Sequence, residues 1–94
     1  MSKKRSVAEN SDKAREERLD CLEQEFVDAF IKIRKTKNLT QQENAYNANV
    51  IRETIARIEN RITSPQVNTM LKILEPLGYT IKITKISKKK EKLD

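Results

Sequence analysis

The sequence predicts a mainly α-helical fold, a bundle of four or five helices followed by one β-strand near the C-terminus. One Gly and two Pro in 94 residues leave few tight turns, which favours helices joined by short corners over a sandwich or barrel. Apolar residues recur at steps of three and four along most of the chain. The period then changes to two at Tyr79, Ile81 and Ile83, which alternate with Thr80, Lys82 and Thr84. A chain of this length holds one small domain plus tails. With two Phe, two Tyr and no Trp, its core must come mostly from Leu, Ile and Val.

The elements follow in order. Residues 1–11 are polar and read as a disordered arm. From Asp12 to about Lys37 the pattern is helical, with Leu19, Leu22, Phe26, Ala29, Phe30 and Ile33 on one face. One continuous helix fits, and so do two with a break near Leu22 to Gln24. The change from an acidic to a basic half favours the break, giving an N-terminal helix over 12–23 and a main domain over 24–78. Asn38 ends this stretch. Thr40 then starts a helix with Glu43 three residues on, the spacing at which each side chain caps the other's backbone N–H. That helix runs to about Asn47, and Asn49 stands where the chain must turn sharply, since Asn tolerates the left-handed conformation.

A third helix takes IRETIARIE, with Ile55 and Ile58 inward and Arg52, Glu53, Ala56 and Arg57 outward. Ser64 and Pro65 predict the start of a fourth, because Ser caps free N–H groups and Pro has none to leave unpaired. Its expected buried stripe is Val67, Met70, Leu71, Leu74 and Leu77. Pro76 should distort the last turn and Gly78 end it. The strand over 79–86 cannot be stable alone. Its simplest partner is the same strand of a second subunit, which puts Tyr79, Ile81 and Ile83 at a homodimer interface. Residues 87–94 read as a basic disordered tail.

The formal net charge is +6 and unevenly placed. Residues 1–30 carry 6 basic and 8 acidic side chains, and the rest carry 14 basic and 6 acidic. A basic body of this size suits nucleic acid or an anionic surface, the plainer alternative being a solvated charged exterior. Cys21 is the only cysteine, so no disulfide or thiol pair for a metal is expected, and a reducing cytoplasm fits. No apolar stretch suits a signal peptide or a membrane span, so no membrane partner is expected. Without His or a glycine-rich loop, the chain offers no general base, metal cluster or phosphate cradle. No enzymatic activity, cofactor, metal or small-molecule substrate is expected.

The segment LTQQENAYNANVIRETIARIENRITSP, followed by VNTMLKILEPLGYTIKI, resembles the Xre/Cro-type helix-turn-helix family. More narrowly it is similar to antitoxins of the HigA kind, which end in a strand after an LGY-like corner. The likeness covers roughly residues 24–85, and its most specific pieces are TQQE, RIEN and the spaced helix that follows. In a helix-turn-helix the second helix enters the major groove while the first crosses the backbone, so the helix starts matter most. Here those are Gln41, Gln42, Arg52, Glu53, Thr54 and Arg57. Arg52 and Arg57 have the donors for guanine and Glu53 the acceptor for cytosine, each good pair adding roughly 1–3 kcal/mol of discrimination. The resemblance implies that Gln41 contacts phosphate or an outer base and that Asn60 contacts phosphate, with Arg61 beside it. It also implies an ion pair between Arg34 and Glu59.

Three residues depart from the family pattern. Asn44 stands where Leu is usual, Ile51 where a capping Ser or Thr is usual, and Arg61 where Gly follows RIEN. These predict a half-buried polar group, a missing cap worth about 1 kcal/mol, and a side chain at a costly positive φ. A domain less stable than its relatives is the expectation.

The antitoxin resemblance further implies a partner, a basic ribonuclease toxin of the HigB/RelE-like kind, bound by flanking elements. Leu19 and Leu22 are the candidate apolar anchors, with Glu16, Glu17, Asp20 and Glu23 facing the toxin. The alternative is that this helix packs on its own domain. The reading that results is a bacterial cytoplasmic, nucleoid-associated homodimer. It binds palindromic double-stranded operator DNA at half-sites about 34–36 Å apart, represses its own operon and neutralises the toxin. A free-standing phage or plasmid repressor with no toxin partner is the other reading.

Overall fold

The structure, a computed structural model, describes residues 2–86, with side chains from Asp12 onward. Met1 and the expected 87–94 tail lie outside the described residues. Four α-helices follow one another among the described residues: α1 Ser2–Thr36, α2 Gln41–Ala48, α3 Arg52–Glu59 and α4 Val67–Leu74. A short 3-10 turn, Glu75–Leu77, extends α4. No helix among the described residues is long and apolar enough to cross a membrane.

Two expectations about the first helix need correction. α1 is continuous across Leu22 to Gln24, and it begins at Ser2, within the stretch read as a disordered arm. The change of charge that suggested a break alters the surface and leaves the backbone untouched. Leu, Glu and Gln are good helix formers, and just past the expected break Gln24 Nε2 donates to Asp28 Oδ1 at 2.9 Å. Upstream, no Gly or Pro interrupts residues 2–11, and each residue added to an existing helix gains one hydrogen bond. At about 1.5 Å per residue the 35-residue helix accounts for the 51 Å long dimension of the molecule.

The core is one cluster. Val27 and Phe30 of α1, Ala45 and Ala48 of α2, Ile55 and Ile58 of α3, and Met70, Ile73, Leu74 and Leu77 are all buried. The buried face of α1 is therefore Val27, Phe30 and Arg34, while Leu19, Leu22 and Ala29, expected on it, are exposed. On α4, Met70, Leu74 and Leu77 are buried as the stripe predicted. Val67 and Leu71 face out and Ile73 takes their place. The α4 start also differs. Gln66 precedes the first helical residue without a side-chain cap, and the Ser64 hydroxyl instead donates to Glu23 Oε2 at 2.6 Å.

The corners repeat a single device. Asn38, Asn49, Arg61 and Gly78 all have positive φ. The next residue's N–H bonds back five positions each time: Leu39 to Arg34, Val50 to Ala45, Ile62 to Arg57 and Tyr79 to Leu74, at 2.9–3.1 Å. This is the six-to-one closure that satisfies helix-end carbonyls around one left-handed residue. Only the last corner uses glycine.

After the last corner the sequence predicts a strand, and among the described residues none is a strand. Residues 79–86 have no regular structure in the single chain. A strand is defined by a hydrogen-bonded neighbour, and here no second segment supplies one. Ile81 packs against the core, Tyr79 is half-exposed and Ile83 fully exposed.

Candidate nucleic-acid interface

The site is built at the facing ends of α2 and α3. The Thr40 hydroxyl accepts from Glu43 N–H at 3.0 Å and the Glu43 carboxylate accepts from Thr40 N–H at 2.9 Å, so both halves of the capping box form. α2 ends at Asn49, φ 61° and ψ 43°, the left-handed corner expected of it. Val50 is partly buried against the core that holds Ile55, four residues into α3, and this contact sets the angle at which the chain enters the helix. Ile51 caps α3 with no side-chain hydrogen bond, as its identity foretold.

A buried ion pair fixes α3 from behind. Arg34 Nε meets Glu59 Oε2 at 2.7 Å and Nη2 meets Oε1 at 2.8 Å, with side chains 9% and 7% exposed. Arg34 Nη1 also donates to the Leu39 carbonyl at 2.8 Å. Glu59 Oε1 accepts a further bond from Gln41 Nε2 at 2.9 Å, and Gln41 Oε1 accepts from Arg52 Nη1 at 3.2 Å. A chain of hydrogen bonds thus leads from inside the domain to an exposed arginine at the start of α3.

The sequence-predicted DNA-contacting residues divide by position. Gln42, Arg52, Glu53, Arg57 and Asn60 are exposed, and Gln41 and Thr54 are half-buried. Arg57 Nη2 lies 3.7 Å from Glu53 Oε2 one turn away, an exposed pair of small energetic consequence. Arg61 is set apart from the others. Its Nη2 meets Asp20 Oδ1 at 2.6 Å and Glu23 Oε1 at 3.1 Å, and Nη1 bonds Gln24, so its side chain points to α1. The hydrogen bond to Asp20 raises its already high pKa, opposed in part by desolvation.

The same contacts bear on the residues expected to face a toxin. Asp20 and Glu23 are paired with Arg61, whereas Glu16, Glu17, Leu19 and Leu22 are exposed. Asn44 is more deeply placed than expected, fully buried with neither Oδ1 nor Nδ2 hydrogen-bonded. Sequence reasoning passed over Tyr46 as a surface residue of α2. It is 82% exposed, and with Gln42, Asn49, Ile51 and Arg52 it lines a shallow depression between α2 and the start of α3. An aromatic at the outward position after buried Asn44 and Ala45 was the signal that could have found it.

No curated protein and no solved structure gives a significant match to this chain. A family model described as helix-turn-helix matches residues 30–83, from the last two turns of α1 to Ile83. That span is more than half the chain and contains α2 with its capping box, α3, the left-handed corner between them and the ion pair behind them. The chain belongs to the Xre/Cro-type helix-turn-helix family and is a DNA-binding regulator of transcription.

Proposed function

We propose that the protein acts as a homodimer that binds a palindromic operator and represses its own operon. The observation that carries this reading is the exposed start of α3, where Arg52 stands anchored through Gln41 to the buried Arg34–Glu59 pair. Arg52 and Arg57 read guanine, Glu53 accepts from cytosine, and Gln42, Thr54 and Asn60 contact the backbone or outer bases. Gln41 keeps Arg52 linked to Glu59, and Arg61 joins the interface after exchanging its present partners for phosphate.

Dimerisation is supported by apolar surface that the single chain leaves uncovered, namely Tyr79 and Ile83 together with Val67 and Leu71. Tyr79, Ile81 and Ile83 then lie on one face of a strand paired with its symmetry mate. Replacing Ile83, which is fully exposed, by Glu should give a folded monomer by sedimentation and weaken operator binding. A chain that stays dimeric would misplace the interface. Arg52→Ala and Arg57→Ala should each relax base preference at one position per half-site, measured by binding to a panel of single-base operator variants. Equal loss on every sequence would contradict direct readout.

The finer reading is an antitoxin that neutralises a HigB/RelE-like ribonuclease. Its support is the exposed Leu19 and Leu22 beside Glu16 and Glu17 on a helix reaching beyond the matched family span. The pairing of Asp20 and Glu23 with Arg61 favours the second reading, a repressor with no toxin, because those carboxylates already have a basic partner. Co-expression with the neighbouring reading frame decides between them. A stable complex whose separated partner cleaves RNA supports the antitoxin, and a neighbour that neither binds nor cleaves supports the free-standing repressor.

A further inference from the structure

Ile51 breaks two local rules at once. It occupies the N-cap of α3, where Ser, Thr, Asp or Asn would satisfy a free N–H, and forms no cap bond. It is also 64% exposed, a large aliphatic side chain facing solvent on a mostly polar surface. No fold requirement explains it, since the apolar contact at the entrance to α3 is already made by Val50 against the core. Local rules broken without structural gain tend to mark functional positions.

The surroundings of Ile51 define what it could meet. Arg52, the next residue, begins the recognition helix, whose first residues reach base edges in the major groove. Tyr46 lines the same shallow depression as Ile51, and Gln42 and Asn49 give it polar edges. An apolar tip within a hydrogen-bonding surface has one natural complement in the major groove. Of the four bases only thymine presents a methyl group there, and side chains read it by apolar contact.

We propose that Ile51 reads a thymine methyl group next to the base pair read by Arg52, with the Tyr46 ring as the second wall of the methyl's seat. The proposal rests on the DNA-reading role of α3 given above and adds a thymine requirement to it. The missing cap is then the cost of placing a methyl-reading side chain at the helix tip. Each methyl withdrawn from water contributes roughly 0.8 kcal/mol, or about fourfold in affinity per half-site.

The test uses the full chain and a duplex it selects from a random-sequence library. Each thymine is replaced in turn by deoxyuridine, which pairs identically and lacks only the methyl. One thymine per half-site, adjacent to a guanine-containing pair, should lower wild-type affinity about fourfold when replaced. Ile51→Ser should bind the thymine and uracil duplexes equally well while melting at a higher temperature, because Ser restores the cap. That pairing of greater stability with lost discrimination is one a purely structural role would not produce. A selected consensus whose binding ignores uracil at every position, or Ile51→Ser with undiminished discrimination, overturns the proposal. Failure to select any consensus overturns the direct-readout reading of α3 as well.

Discussion

Residues 39–60 and the first exposed stretch of α1, residues 12–22, occupy one chain under opposite regimes. In the former, both helix starts and the corner between them are fixed by named contacts: the capping box, the left-handed Asn49, Val50 against the core and the buried Arg34–Glu59 pair. In the latter every side chain is exposed, and among the described residues only Asp20 is tied to the rest of the fold by a hydrogen bond. The difference teaches that this small chain spends its specific interactions on aiming α3. The long helix beyond the core is left as surface.

The sharpest way to break that comparison is to break the ion pair. Glu59→Ala leaves the Arg34 guanidinium buried without a counter-charge and should lower unfolding free energy by about 3–5 kcal/mol in urea titration. A loss below about 1 kcal/mol would mean the pair is far better solvated than its burial implies. Asn44→Leu works in the opposite direction. It removes two buried, unbonded polar atoms and should stabilise the domain by about 1–3 kcal/mol, read as a higher urea midpoint with unchanged slope.

Smaller effects test the edges. Thr40→Ala removes one half of the capping box and should cost about 1 kcal/mol by the same measurement. Leu19→Ala, on the exposed stretch of α1, should fall within about 0.5 kcal/mol of wild type for the monomer. A cost several times larger, growing with protein concentration, would show that Leu19 is covered in an assembly and would erase the contrast between the two regions.

What could be read from the sequence was whatever rests on local chemistry. The Thr40–Glu43 box and the left-handed Asn49 and Gly78 follow from residue type and near neighbours, whereas the uncapped Ile51 and the positive φ of Arg61 could be read only against the family pattern. The Arg34–Glu59 pair was legible only through the family likeness, because nothing periodic links positions 25 apart. The continuity of α1 was missed because a change in side-chain charge was taken for a change in backbone. Val67 and Leu71 were misplaced because an apolar stripe does not say which of its members face out. The Arg61 contacts to Asp20, Glu23 and Gln24 had no signal at all, being long side chains meeting across loops. The single glycine also undercounted the corners, since two Asn and one Arg adopt the same conformation.

Gln41 has a consequence of its own for what evolution can do at that position. Its amide N–H donates a hydrogen bond to Glu59 at one end and its carbonyl accepts one from Arg52 at the other, so the side chain must be donor and acceptor simultaneously. Glutamate would repel the carboxylate and lysine the guanidinium, while leucine would leave both ends of the link unanswered. A neutral amide of this length is thus the coupling through which the interior sets the rotamer of Arg52, the arginine proposed to read a base. Fixing that rotamer beforehand spares the complex part of the entropy it would otherwise lose on meeting DNA.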